Sequence, residues 1–324
     1  VRDNLGGDEL TAQRIAALGG LLLGVLGLFG SRSLISSGVV AINTIPQLPG
    51  TGTLLGEWWS SWRSTGTGSE QAAPVLFFVL GVLRALFFWG TGLLDTLLVL
   101  GPLAAGAFGA WRLARPMGSP RAAIAGALVY GLNPLPVAII AAGRWPVLVV
   151  WGAAPFVVAS ALRLQGAEPF VSPHPLSIRL LRFGLLVAAV AAAAPMIVVL
   201  AVSVLIALAA GSVLVARPRG LRALAAGVPA AGCVPLALHV PWSVEIIRDG
   251  TWGWLVGPPF ANATFDSVAD LIRFAPGLSG PGWLVVGVVI VAFGSLAVAK
   301  GARFDTAAKG ITLSVLAWMI AWAA

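Results

Sequence analysis

The arginines and lysines of this chain fall almost entirely in alternate gaps between long apolar runs. Such a chain folds as helices threaded back and forth across a bilayer, because the connections on the cytoplasmic side collect the basic residues. A hydrophobic content of 58% against a charged content of 10%, with a mean hydropathy of +0.95, excludes a soluble domain, which needs more polar surface than this chain has. Backbone groups cannot be left unpaired in lipid, so even the Val/Ile-rich runs are expected to be helical. The expected fold is all-α and polytopic: a single membrane domain over residues 1–324.

A bilayer core takes about 20 apolar helical residues. On that measure nine spans are predicted, near 13–30, 91–111, 122–142, 146–163, 178–194, 197–216, 222–241, 283–299 and 307–323. The apolar stretch 178–216 is too long for one helix, and Pro195 after Ala191–Ala194 places the turn that divides it. The segment 74–90 is apolar but holds Arg84 and ends at Phe87-Phe88-Trp89-Gly90. If it does not span, one side holds Arg2, Arg14, Arg112, Arg115, Arg121, Arg163, Arg179, Arg182, Arg217, Arg219, Arg222, Lys300, Arg303 and Lys309. The other side holds Arg32, Arg63, Arg144, Arg248 and Arg273: 14 against 5, with Arg84 left over. That asymmetry puts the N-terminus in the cytoplasm of a multi-pass cell-membrane protein and makes 74–90 an interfacial or re-entrant helix on the outer face.

The net charge of +8 sits at cytoplasmic helix ends, so it reads as topology and contact with anionic membrane lipids, with no nucleic-acid partner. The single cysteine, Cys233, falls within a span, which excludes an internal disulfide framework and a Cys-based metal site. No cleavable signal peptide is evident, since the first apolar run follows a polar stretch holding Asp3, Asp8 and Glu9. The chain opens at Val1 and closes inside the apolar run Trp318 to Ala324, as a piece of a longer polypeptide would.

Two long polar segments fall outside, Ser31–Ala73 and Ser243–Gly282, and every cytoplasmic gap is shorter. Long loops in compact proteins are usually functional or disordered, and these carry Trp58, Trp59, Trp62, Trp252, Trp254 and Phe260, which suit an interface or a binding surface. The extracytoplasmic face is therefore the expected working side. The strongest local feature is Gly56-Glu57-Trp58-Trp59-Ser60-Ser61-Trp62-Arg63-Ser64-Thr65-Gly66-Thr67-Gly68-Ser69. Its tryptophans offer flat apolar faces to the C–H faces of a sugar ring, while Glu57, Arg63 and the serines bind hydroxyls. The same residues also fit an amphipathic helix whose Trp side chains anchor at headgroup depth.

The run Trp-Ser-Ser-Trp-Arg-Ser-Thr-Gly-Thr-Gly-Ser at 59–69, with the following Ala73-Pro74, resembles the first outer loop of large actinobacterial envelope glycosyltransferases. Some of these join a cytoplasmic family 2 glycosyltransferase domain to a many-span membrane region. Val240-Pro241-Trp242, Gly253-Trp254-Leu255, Arg273-Phe274-Ala275-Pro276-Gly277 and Gly280-Pro281-Gly282-Trp283 extend the resemblance over roughly 15–300. Those proteins often carry a His after the loop Trp, where this chain has Arg63. A more distant resemblance is to the C-type membrane glycosyltransferases, which use polyprenyl-phosphate sugars and place an acid early in the first outer loop. Here the residues after the first span, Ser31 to Gly38, hold no acid, and the loop acids are Glu57 and Glu70. The resemblance implies a transferase of cell-envelope polysaccharide whose partner is a polyprenyl-phosphate sugar or lipid-linked glycan. Of the two loop acids, Glu57, beside the Trp cluster, is the expected catalytic carboxylate that takes the acceptor proton, with Glu70 the other candidate, and Trp58, Trp59, Trp62 and Arg63 would bind substrate.

Arg84 and Asp95 are charges expected at membrane depth, where such groups are costly and mark function or a partner. Eleven residues apart, they are too distant to touch on one continuous helix, but a break at Gly90–Gly92 would let them pair. Alternatively, Arg84 would fork onto a lipid phosphate. Asp266 and Asp270 share a helix face and are weak candidates for a divalent cation, against the plainer reading of a solvated helix surface. No cofactor is otherwise implied. His174 and His239 carry no signal, and with no His/Cys cluster a transition-metal site is not expected. Gly131-Leu132-Asn133-Pro134-Leu135-Pro136 should kink or break the third span, a device that can line a cavity. No Gly-Lys-Ser phosphate loop is present to drive transport with ATP. Besides the enzyme, the sequence admits a non-catalytic transporter or scaffold module for lipid-linked glycans and, third, a plain solute transporter.

Overall fold

The computed structural model describes residues 49–60, 62–63, 69–70, 73–86, 91–117, 120–132, 135–141, 143–166, 168–214 and 220–250, with 308, 310–312 and 315. The described chain is helical apart from one two-residue antiparallel pair. In order come α1 (Thr51–Ser60), β1 (Trp62–Arg63), β2 (Ser69–Glu70), α2 (Val75–Leu86), α3 (Thr91–Ala114), α4 (Pro120–Gly131), α5 (Leu135–Ala141), α6 (Trp145–Gln165), α7 (Leu176–Ala191), α8 (Ile197–Leu214), α9 (Leu221–Leu238) and α10 (Trp242–Arg248). Among the described residues, four helices are long and apolar enough to cross a membrane: Leu94–Ala114, Trp145–Gln165, Ile197–Leu214 and Leu221–Leu238.

Several expected spans come out shorter than predicted. The third, 122–142, is two helices of 12 and 7 residues, α4 and α5. Helix is described to Gly131 and again from Leu135, on either side of the Asn-Pro expected to kink or break it, with 133–134 outside the described residues. The fifth, 178–194, is the 16-residue α7, a little under the 17 or so that a bilayer core needs. It stops at Ala191 because Pro195 cannot continue it, and the chain turns through 192–196 into α8. The segment 74–90 forms the 12-residue α2. The spans expected near 13–30, 283–299 and most of 307–323, and the second outer loop beyond Gly250, lie outside the described residues.

The chain divides into two compact units, Val1–Gly56 with Phe78–Phe156, and Glu57–Phe77 with Val157–Ala324. The first unit has a buried cluster of Val99, Ile139, Leu148 and Trp151, with Tyr130, Leu135 and Trp145 packed against it. Tyr130 stacks on Trp151 at 4.6 Å between ring centres, and its hydroxyl donates to Trp151 O at 2.6 Å. In apolar surroundings that donor has no water to fall back on, so it fixes the ring. The turn between α5 and α6 closes at Gly143, with φ of 66°. Gly143 N donates to Ile140 O and Arg144 N to Ile139 O, the left-handed glycine cap that satisfies otherwise orphaned carbonyls. Within this unit α1 rests on α2 through Leu54 and Leu55, the latter lying against Gly81.

In the second unit α7 and α9 form the most extensive helix pair, with α8 packed on both. Gly184 lets the pair close: a Cβ there would come within 2.7 Å of Val234 Cγ2 and 2.9 Å of Ala230 O. Small residues supply this close approach in membranes, where lipid removes the usual hydrophobic drive. Gly227 of α9 meets Leu164 of α6 and Leu205 of α8 in the same way. Phe183, Val187, Ile197, Leu205 and Leu224 are buried, while Ile178, Leu181 and Leu185 of α7 stay exposed. An apolar helix with one face against protein and the other left to lipid shows no polar side at all.

Candidate functional site

The described part of the tryptophan-rich motif folds as the last turn of α1 followed by the short ladder. Glu57, Trp58 and Trp59 occupy that turn, and the rings of Trp58 and Trp59 lie 6.2 Å apart at 52°. Ser60 Oγ accepts from Trp62 N at 3.4 Å as the chain leaves the helix. Trp62 then pairs with Glu70, and Arg63 with Ser69. Directly opposed residues of an antiparallel pair have Cβ atoms about 5 Å apart, so the ladder sets a carboxylate beside an indole. Trp59 is 83% and Trp62 48% exposed, and Glu70 is exposed as well. Trp58 and Glu57 are half-buried. The result is an aromatic ridge with a carboxylate at its edge, which can stack a ring and accept a proton from a hydroxyl resting on it. Strand pairing was not foreseen for this loop; Gly66 and Gly68, between Trp62-Arg63 and Ser69-Glu70, are the hairpin signal in the sequence.

Arg84 and Asp95 belong to the first unit. Helix is described to Leu86 in α2 and from Thr91 in α3, so Gly92, part of the expected break, is helical, while 87–90 lie outside the described residues. Both side chains are half-buried, and the Arg84 guanidinium is close enough to attract the Asp95 carboxylate. Asp95 Oδ1 is buried and accepts no hydrogen bond. Asp95 stands one residue inside the first candidate span, at its end and not at mid-membrane. Pro102 is seven residues on, close to two helical turns, so it shares a face of α3 with Asp95 about 10 Å away along the axis. There α3 and α6 leave a cleft of about 240 Å³, lined by Pro102, Ala105, Val149, Gly152, Ala153 and Phe156. That lining is wholly apolar and suits a hydrocarbon chain.

Four polar placements were missed by the sequence reading. Gln165 and Ser212, both buried, are joined by a hydrogen bond from Gln165 Nε2 to Ser212 Oγ, and Ser212 Oγ donates to Leu208 O. Arg179 donates through Nη1 to Arg163 O and Leu164 O. His239, buried, ties the end of α9 to α7 through Nε2 and Ala188 O at 3.0 Å. Ser243 Oγ donates to Leu236 O. Polar residues at or within predicted span ends are the signal that pointed to them, since such groups must find partners. Asp266 and Asp270 lie outside the described residues, and among the described residues no three His, Cys, Asp or Glu side chains gather as metal ligands would. Compared with known proteins, the chain matches no family model, and neither a curated protein nor a solved structure is similar to it.

Proposed function

We propose that this chain is the membrane-integral part of a glycosyltransferase of cell-envelope polysaccharide assembly, using a polyprenyl-phosphate-linked sugar. In this reading it crosses the cell membrane about nine times from a cytoplasmic N-terminus, with both long loops outside. The observation that carries the reading is the ridge: exposed Trp59 and Trp62, with Glu70 opposite Trp62 across the ladder. Indole faces hold a sugar ring, and the carboxylate takes the proton of the acceptor hydroxyl as its oxygen bonds to the anomeric carbon. The bond from that carbon to the phosphate oxygen breaks, and the electron pair leaves with the phosphate. Taken by itself, the first unit has in Arg84 a group suited to bind a phosphate and, further along α3, an apolar cleft that suits a hydrocarbon tail.

A second reading, a non-catalytic transporter or scaffold module for lipid-linked glycans, draws support from that same cleft, which holds a chain without reacting with it. One experiment separates the two. Transfer from a radiolabelled polyprenyl-phosphate sugar is measured in membranes holding the full-length protein, wild type against Glu57→Gln and Glu70→Gln, with insertion checked. Loss of a general base lowers the rate by about a hundredfold or more, and Glu70→Gln is expected to do so. Unchanged transfer in both variants removes the catalytic reading and leaves the module.

A further inference from the structure

One end of the second unit concentrates guanidinium groups. It is the end where α6 and α8 finish and α7 and α9 begin, which the distribution of basic residues assigns to the cytoplasm. Arg179 of α7 closes the C-terminus of α6, its Nη1 lying 2.9 Å from Arg163 O and 3.1 Å from Leu164 O. Gly220, which starts α9 at φ of 72°, lies so close to Gln165 that a Cβ there would meet its carbonyl oxygen. Gln165 reaches Ser212 of α8. These contacts draw four helix ends together, with Arg163 two residues before Gln165 and Arg222 two residues after Gly220. Arg182 follows Arg179 by one helical turn. Arg182 and Arg222 are exposed and Arg163 is half-buried. Among the described residues of 157–182 and 208–224, Glu168 is the one carboxylate. Helices α7 and α9 begin at Pro175 and Gly220 without a side-chain cap, so their positive ends add to the same potential.

The geometry points to a site for an anionic phospholipid: Arg163, Arg182 and Arg222 take the phosphate of one headgroup, while Arg179 holds the helix ends in place. This does not depend on glycosyl transfer. Charge complementarity chooses the ligand and depth chooses its source. Helices α6, α8 and α9 are each long enough to span, so their ends lie at headgroup level, where arginine stems run along apolar surface and the heads reach lipid phosphates. A soluble polyanion would have to descend to that depth; a lipid is already there.

The test uses the purified chain in nanodiscs of phosphatidylcholine with or without phosphatidylglycerol, counting retained lipid by native mass spectrometry at physiological ionic strength. Wild type retains phosphatidylglycerol in preference to phosphatidylcholine. Arg163→Gln/Arg182→Gln/Arg222→Gln weakens that retention roughly a hundredfold, and the exposed Arg182→Gln alone about fivefold with helicity unchanged by circular dichroism. Arg112→Gln/Arg115→Gln, at a helix end of the first unit, leaves it unchanged. Equal retention of both lipids, equal loss in the Arg112/Arg115 variant, no loss at Arg182, or displacement of the lipid by inorganic phosphate would each overturn the assignment.

Discussion

In the α7–α9 seam of the second unit, Gly184 lies so close to Val234 and the Ala230 carbonyl that no side chain fits. In the α3–α6 seam of the first unit, Gly152 lies equally close to Pro102, a Cβ there coming within 2.6 Å of Pro102 O. Yet the second of these seams opens into a cleft beside that contact, while the first is continuous buried surface, including Phe183, Val187 and Ala188. A glycine thus brings two helices together at a point but does not decide whether the seam is closed. What decides it is whether the neighbouring turns supply atoms to fill the space. On α7 they do; around Ala105 and Ala153 the small side chains leave room. The polar ties do not follow that division. Tyr130 donates to Trp151 O in the first unit, as Gln165, Ser212 and His239 make hydrogen bonds in the second. Each unit also holds buried polar atoms with no hydrogen-bond partner, Asp95 Oδ1 in the first and Arg179 Nε and His239 Nδ1 in the second.

The largest expected effect tests the closed seam. Gly184→Leu should destabilise the protein by about 3 kcal/mol, since backbone and Val234 must both yield, read as the unfolding midpoint in mixed micelles. A midpoint unchanged or raised, as expected for Ala105→Leu, would erase the distinction between the seams. Of intermediate size is the Gln165–Ser212 bond. A double-mutant cycle with Gln165→Leu and Ser212→Ala should give a coupling energy of about 0.6 kcal/mol, the ordinary size for such bonds between membrane helices. Zero coupling would mean that the pair is an accident of close packing. Smallest is Ala105→Leu, which fills the open cleft and should raise stability by only about 0.5 kcal/mol. Under the lipid-tail reading the same substitution slows glycosyl transfer, so a stable variant with undiminished transfer would separate the cleft from function.

Much of the helical architecture was legible in the chain because lipid makes backbone pairing compulsory. Apolar length alone located α3, α6, α8 and α9 within a few residues, and Pro195 marked the turn between α7 and α8. The third span, 122–142, is apolar throughout, and the Asn-Pro inside it was the signal for the interruption expected there; helix is described on both sides of 133–134. The ridge was legible as composition, three tryptophans and two acids in one loop, but not as geometry. No periodicity announces a two-residue ladder, so the pairing that sets Glu70 beside Trp62 had to come from the fold. His239 carried no signal, since a lone histidine at a span end acquires meaning only when another helix brings a carbonyl to it.

The sequence by itself determined that this is a membrane protein of helices, because hydropathy and the need for internal hydrogen bonds leave no other element. It also singled out the residue types worth testing, since charge and indole are conspicuous in so apolar a chain. Tertiary structure alone decided which small residues close a seam and which leave a cleft. It also decided which arginine caps a helix while Arg182 and Arg222 stay exposed, and which carboxylate stands opposite an aromatic residue. These are relations between residues far apart in the chain, and they arise only when the packing of one helix presents atoms to another.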